Sequence, residues 1–378
     1  MKIVCAPDSF KGSVTAAQAA AAMAAGARQV FPEAEIVELP FADGGEGTLD
    51  ALMAAWDREP QSVTTVDALG RSTQARYGLS PDGRTAVIEA AEANGLPQVA
   101  DVPLQPLRAD TYGVGLIARH VMTAGAEEIL LCIGGSATTD GGTGILRALG
   151  AEFLDQNDAP TPPGGAGLGR ISRADLAGVD PRARQVRWRI AVDVDNPLTG
   201  ERGAAAVFGP QKGATQEDVT ELDAGLSQLA SVLADVTGVP VEEYRNAEGF
   251  GAAGGIPLAL VSLLGAEVVP GSTMVADAVG LEDVLAEADL VLTGEGRFDS
   301  QSLGGKVVDA VASRAPESSG VVVIAGAVEL SPAQCLAAGI TAAFSIAPGA
   351  ATLEELQSGA AQLIEDTAAH ACSLFVLR

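Results

Sequence analysis

The segment KIVCAPDSFKGSVTAAQAAAAMAAGARQVFPEAEIVELPFADGGEGTLDALMAAW (Lys2–Trp56) holds two strand–loop–helix units in succession. Lys2–Ala6 is a short apolar run of strand length, Pro7–Gly12 is a polar loop, and a helix is expected from about Ala16 to Val30. Thr15 followed by Gln18 fits a capping box, in which two side chains satisfy otherwise unpaired backbone amides at the helix start. Glu35–Pro40 reads as a second strand, and Ala42–Thr48 (ADGGEGT) leads into a helix ending near Trp56. Strands alternating with helices are the signature of a parallel α/β sheet. The C-terminal third repeats the pattern. Asp289–Thr293 (DLVLT), Gly320–Ala325 (GVVVIA) and Ala342–Ile346 (AAFSI) are apolar on consecutive residues, as strands covered on both faces are. Helices are expected at about 305–314, 332–338 and 352–375.

The middle of the chain differs. Residues 62–91 alternate apolar and polar positions around Pro81-Asp82-Gly83, which predicts antiparallel strands joined by a turn. Residues 156–185, rich in Pro, Gly and Arg, read as a long surface excursion. Glu128–Ile133 (EILLCI) is a strand entering GGSATTDGGTG. The fold class that follows is α/β in two domains. A parallel-sheet domain is built discontinuously from residues 1–62 and 285–378, with a mixed α/β domain inserted at 63–284. The active cleft is expected between them, since ligands bind at strand C-terminal ends and domain interfaces.

Length and composition agree: 378 residues suggest two domains at about 150 each. A hydrophobic content of 47% with 19% charged residues is ordinary globular chemistry. The net charge of −26 repels nucleic acid and anionic lipid, so neither is expected as a partner. The N-terminus has no signal-peptide core, and the longest uncharged apolar stretch, Gly251–Ala266, is too short for a membrane span. Cys5, Cys132, Cys335 and Cys372 lie far apart with no C-x-x-C, which points to a reduced cytoplasmic protein. With only His120 and His370, a multi-histidine metal site is excluded, and both sit in apparent helices.

Chemistry concentrates in glycine-rich loops. APDSFKGS (6–13), ADGGEGT (42–48), IGGSATTDGGTG (133–144), FGPQKGA (208–214) and TGEGRFDSQSLGGK (293–306) combine glycine with Asp, Glu, Lys, Ser or Thr. AVDVDNPLTG (191–200) adds a further acidic segment. Glycine lets backbone amides approach an anion, hydroxyls add donors, and carboxylates suit Mg²⁺. Only four lysines occur, and three of them, Lys11, Lys212 and Lys306, adjoin glycine in these loops, where a compact ammonium can face phosphate. Together the loops suggest ATP-dependent phosphoryl transfer to a small molecule. A Walker A motif is absent, because Ser300 and Val307 occupy its defining positions around Lys306. The G-x-G-x-x-G at Gly249–Gly254 follows polar EEYRNAE rather than a strand, so close packing or a helix start suits it better than a dinucleotide. Asp193-Val194-Asp195 also leaves open a phosphatase or phosphomutase with Asp193 as nucleophile, and a non-catalytic sensor on the same scaffold.

APDSFKG, ADGGEGT, GGSATTDGG, DVDNPLTG, FGPQKGA and TGEGRFDSQS with Gly305-Lys306 resemble, in order and from end to end, the bacterial two-domain glycerate kinases. The resemblance implies ATP- and Mg²⁺-dependent phosphorylation of D-glycerate, usually to 2-phosphoglycerate. It implies a flavodoxin-like domain from both termini with an inserted α/β domain, and it is compatible with a homodimer. On this basis Arg297 is a candidate for the substrate carboxylate, and Lys11 for that carboxylate or the transferring phosphoryl group. Asp8 and Ser9 are candidates for the hydroxyls. Gly134, Gly135, Ser136, Thr138 and Thr139 are expected to cradle the ATP phosphates, with Lys212 and Lys306 neutralising charge. Asp193 is the expected general base toward the 2-hydroxyl and Asp195 the expected Mg²⁺ ligand. Asp43 and Asp140 equally suit helix caps.

Overall fold

Ile3, Val4 and Cys5 are all fully buried, so the first strand is covered on both faces, as its unbroken apolar run requires. The computed structural model describes residues 1–377. Its strands, in chain order, are β1 (Lys2–Cys5), β2 (Glu35–Glu38), β3 (Gln61–Val66), β4 (Ser72–Leu79), β5 (Thr85–Glu89), β6 (Glu128–Cys132), β7 (Glu152–Leu154), β8 (Arg173–Asp175), β9 (Arg187–Ala191), β10 (Glu267–Val269), β11 (Leu290–Phe298), β12 (Gly320–Val328) and β13 (Ala342–Ser345). The chain divides into two units. One comprises Met1–Asp43, Asp50–Glu59 and the chain from Pro270 onward; the other comprises Gly44–Leu49 and Pro60–Val269. The expected C-terminal boundary at 284/285 lies too late, because the helices Gly271–Val279 and Leu281–Leu285 group with the terminal segments.

The first unit carries a five-stranded sheet ordered β13-β12-β11-β1-β2, and every neighbouring pair is parallel. Counted within the unit, this is the 2-1-3-4-5 order of flavodoxin-like sheets. The order reverses between β1 and β11, where ligands bind outside the strand ends in such folds. Burial drives the sheet. Leu290, Val291 and Leu292 of β11 and Val323 and Ile324 of β12 have no exposed surface, each contributing about 1.5–3 kcal/mol of apolar transfer. The helix Ala16–Val30 starts with the expected capping box: Gln18 N donates to Thr15 Oγ1 at 3.2 Å, and Thr15 N donates to Gln18 Oε1 at 3.0 Å. The single helix expected over 352–375 is two, Leu353–Ser358 and Ala360–Ser373, with Gly359 closing the first.

The second unit carries a six-stranded sheet ordered β10-β9-β6-β5-β4-β3. β4 runs antiparallel to both β3 and β5, as their alternation implied, and β5, β6, β9 and β10 run parallel. Trp188 of β9 is buried in its core and donates Nε1–H to Ala183 O at 2.8 Å. The region 156–185 is more than a surface excursion. It contributes β8 and buries Leu168, Ile171, Val179 and Ala183 in the main core. Among the described residues, no helix is long and apolar enough to cross a membrane.

Candidate functional site

Because β6 and β9 are parallel neighbours, the loops that follow Cys132 and Ala191 leave the same edge of the sheet. They wall a cavity of about 370 Å³ within the second unit. Gly44, Gly45, Gly134, Gly135, Ser136, Asp193, Gln211 and Lys212 form its polar lining; Leu96, Val192, Phe208 and Ala252 form apolar walls. A pocket with one polar flank and one apolar flank suits an amphipathic ligand with an anionic end.

The polar flank is built on the loop after β6. Ala137 N donates to Asn94 O at 2.8 Å, and Leu96 N donates to Gly135 O at 3.0 Å. With its carbonyl held this way and its φ at +72°, Gly135 turns the chain so that the backbone amides of Gly134, Gly135 and Ser136 donate to no other described residue. Consecutive unengaged amides around a left-handed residue form an anion-binding nest. Gly134 and Gly135 are exposed here, and Ser136 lines the cavity with its side chain largely buried. The next hydroxyls point elsewhere. Thr138 and Thr139 are completely buried and do not line the cavity, and Thr138 Oγ1 accepts from Asn94 Nδ2 at 3.1 Å. Direct contact of either hydroxyl with a phosphate, as the sequence suggested, is therefore corrected: Thr138 belongs to the support beneath the nest, and the Thr139 hydroxyl is buried with no hydrogen-bond partner among the described residues.

Asp140 is the main strut of that support. Its fully buried carboxylate accepts from Thr111 N (2.9 Å), Thr111 Oγ1 (2.8 Å), Gly144 N (3.0 Å) and Gly142 N (3.2 Å). These bonds hold the turn that leads into the helix Thr143–Ala148, whose N-cap position is Gly142, and one of them satisfies the Gly144 amide in its first turn. Lys212 is the second strut. Its Nζ donates to Thr138 O at 2.6 Å and to Ser136 Oγ at 3.0 Å. Burial pulls its ammonium down to about 7, with Asp140 opposing.

The other wall holds Asp193, which is exposed to the cavity and has a partner of its own. The G-x-G-x-x-G segment serves as packing, as expected. A Cβ on Gly251 would lie 2.3 Å from Pro197 O, and one on Gly254 2.1 Å from Thr138 O. The two glycines thus let one stretch of backbone clamp both cavity loops. Asp195 differs from expectation. It is 70% exposed and paired with Arg202 at 2.8 Å, which holds its carboxyl below the usual range. Among the described residues no three His, Cys, Asp or Glu gather as a metal-holding group. The donor set therefore does not fit a metal caged by protein alone. One exposed carboxylate facing the cavity beside an anion nest does fit a Mg²⁺ carried on phosphate oxygens, which needs only one or two carboxylates.

The first unit collects the remaining candidates at the C-terminal ends of β1 and β11. Asp8 N donates to Gly294 O at 2.8 Å, joining the loop after β1 to β11 at the point where the strand order reverses. Asp8 accepts from Ser9 N at 2.6 Å; burial first, then Asp43 and Glu295, push its carboxyl up to about 7. Glu295 is also raised by burial, with Ser302 and Lys306 opposing, and its Oε1 is buried with no hydrogen-bond partner among the described residues. Lys306 stands at the N-cap position of the helix Val307–Ala312 without a side-chain cap bond, and Lys11 is exposed. Arg297, expected to fork a carboxylate, is 65% exposed and engaged with Glu329 at 2.5 Å and Asp299 at 3.5 Å. Lys2, the one lysine outside the glycine loops, donates Nζ to Val284 O at 2.7 Å and is structural.

The sequence reading missed Asn94 and Glu89. Glu89, at the end of β5, is buried and accepts from Leu49 N at 2.8 Å, which anchors the segment bearing Gly44 and Gly45. Asn94-Gly95 is a helix C-terminal signal in the sequence, but the hydrogen bond from Asn94 to Thr138 joins positions 44 apart and leaves no local trace.

Comparison with known proteins gives one answer. A sequence profile described as the glycerate kinase family matches residues 3–376. A glycerate kinase of Bacillus subtilis (strain 168) is 43% identical over 369 residues, covering 97% of this chain and 96% of that protein. A glycerate 2-kinase of Escherichia coli (strain K12) is 42% identical over 361 residues, covering 95% and 94%. A crystal structure from Salmonella typhimurium LT2, provisionally named glycerate kinase 2, superposes with a TM-score of 0.90 at 42% identity and covers 100% of this chain and 98% of that one.

Proposed function

The chain belongs to the glycerate kinase family, and on that premise we propose that it transfers the γ-phosphoryl group of ATP to the 2-hydroxyl of D-glycerate, giving 2-phosphoglycerate and ADP. The observation that carries the nucleotide half is the nest of three unengaged amides at Gly134, Gly135 and Ser136, facing a cavity with an apolar second wall. The amides hold phosphate oxygens, and the apolar wall at Leu96 and Phe208 takes the base.

Asp193, facing that cavity, receives the proton of the attacking hydroxyl. Asp195 is the residue that would hold a Mg²⁺ carried on the phosphates, and that ion would supply charge neutralisation for the transferring group. To do so it would have to give up Arg202, an exposed pairing that solvent screens. In the first unit, Lys11 and the donors Arg297 has left over take the glycerate carboxylate, and Asp8 with Ser9 orient its hydroxyls. Lys306 meets the transferring phosphoryl group, as its place beside Glu295 at a helix start suits. The 2-position is supported by one relative named for it, the glycerate 2-kinase of Escherichia coli.

The test is ADP release with D-glycerate, L-glycerate or no acceptor, with and without Mg²⁺, and product identification by phosphorus NMR. Release with D-glycerate alone, giving a 2-phosphate, is expected. A 3-phosphate would overturn the regiochemistry, and release that ignores glycerate would overturn the acceptor.

A further inference from the structure

We infer that Lys212 is a positioning residue that sets which way the Ser136 hydroxyl points, and that it holds this hydroxyl toward the phosphate end of the cavity only while its side chain is charged. The inference rests on the nucleotide reading above and goes beyond it, because it gives Lys212 control of a neighbouring donor in addition to its own place in the lining.

The geometry is specific. Lys212 is 2% exposed, and its Nζ lies 3.0 Å from Ser136 Oγ and 2.6 Å from Thr138 O. A charged ammonium can only donate, so Ser136 Oγ accepts from it. The hydroxyl proton then has to point to another acceptor, and Ser136 lines the cavity beside the unengaged amides of Gly134 and Gly135. The nest gains a fourth donor. A neutral amine has a lone pair and two N–H bonds. One N–H stays on Thr138 O, and the lone pair accepts from Ser136, turning its proton inward. The nest then loses that donor and presents a hydroxyl lone pair to the anion.

Burial places this change near neutral pH, since it lowers the Lys212 ammonium to about 7. The charged groups facing it are few. Asp140, on the loop after β6, favours the ammonium, and Asp193, on the loop after β9, lines the same cavity. Asp218, in the first turn of the helix Gln216–Thr237 that follows Lys212, is occupied by capping Thr215. A bound phosphate adds negative charge and favours the ammonium further. Nucleotide binding therefore draws a proton onto Lys212, and affinity is highest below its free value and falls as pH rises through its bound value.

The experiment is calorimetric titration of the whole protein with ADP and Mg²⁺ at pH 7.5, in two buffers of different ionisation enthalpy. The difference between buffers reads proton uptake directly, without turnover. Wild type is expected to take up a substantial fraction of a proton. Lys212→Met, which keeps the buried volume without the ammonium, is expected to take up less and to bind about tenfold more weakly. Ser136→Ala is expected to keep the uptake but to lose most of the extra weakening that wild type shows between pH 7 and 9. Ionisation of ADP itself is common to all three proteins and cancels in the comparison. Equal proton uptake by wild type and Lys212→Met overturns the inference while leaving the nucleotide site intact. Wild type that binds no ADP overturns the nucleotide reading and this inference with it. Should Lys212→Met fail to fold, Ser136→Ala decides alone: a pH dependence identical to wild type overturns the inference.

Discussion

Replacing Asp140 by asparagine keeps the shape of the loop's main strut and changes only its charge and one acceptor. In the native loop one carboxylate oxygen accepts from Thr111 N, Thr111 Oγ1 and Gly144 N, and the other from Gly142 N. Asparagine can put its single oxygen on the three-donor side, which sets its amide nitrogen against Gly142 N, where two donors face each other. Hydrogen bonds to a charged acceptor exceed neutral ones by about 1 kcal/mol each, so three are weakened by that amount. The orphaned Gly142 amide costs about 1–3 kcal/mol more. Relief from burying a full charge returns part of this, leaving a net loss of roughly 3 kcal/mol in the second unit. Urea unfolding followed by Trp188, which is buried in that unit, reads the loss directly in a Trp56→Phe background. With a slope of about 2–3 kcal/mol per molar urea, the midpoint falls by roughly 1 M. A shift below about 0.3 M at unchanged slope would refute the argument that these four bonds hold the loop. So would a variant that unfolds later than wild type.

Asp193→Asn is expected to keep ADP binding within about threefold and to lower kcat by roughly 10²–10⁴; a loss under tenfold removes it as the base. Lys306→Ala should lower kcat strongly while the melting curve of the first unit stays in place, and wild-type kcat in the folded variant would exclude contact with the phosphoryl group. Asp8 predicts a pH effect on the first unit. Its folded value of about 7 exceeds the ordinary 3.8, so the folded state binds more protons between those values and stability falls as pH rises through that window. Asp8→Asn should flatten that slope and stabilise the unit at pH 8; parallel unfolding profiles of the two proteins from pH 5 to 8 would count against the burial that raises Asp8.

The parts of the fold legible in the sequence are those whose cause is local. Thr15 and Gln18 cap the helix Ala16–Val30 through bonds three residues apart, and the apolar runs of β1, β11 and β12 are buried whatever lies around them. β10 escaped because three residues in GAEVVPG carry no periodicity, and their strand character comes only from pairing with β9. The domain boundary at Pro270 escaped for a related reason. An amphipathic pattern over Gly271–Val279 announces a helix, not the sheet it joins.

The candidate site divides along the same line. That GGSATTDGG is a polar, glycine-rich loop is plain from its letters, but which of its hydroxyls face outward is fixed by Gly135 at φ +72° and by bonds from Asn94 and Lys212, 44 and 74 positions away from Thr138. Neighbouring residues of one short loop therefore take opposite roles. Gly134, Gly135 and Ser136 present backbone amides to the cavity, while Thr138 and the Asp140 carboxylate are engaged in hydrogen bonds inside. This division has a physical reason. Backbone amides make an anion site whose donors cannot rotate away, but only if something else satisfies the polar groups that the tight turn buries, and each such group left alone costs about 1–3 kcal/mol. In this loop a buried carboxylate, Asp140, and a buried lysine, Lys212, take up polar groups of the turn beneath the amides of Gly134, Gly135 and Ser136.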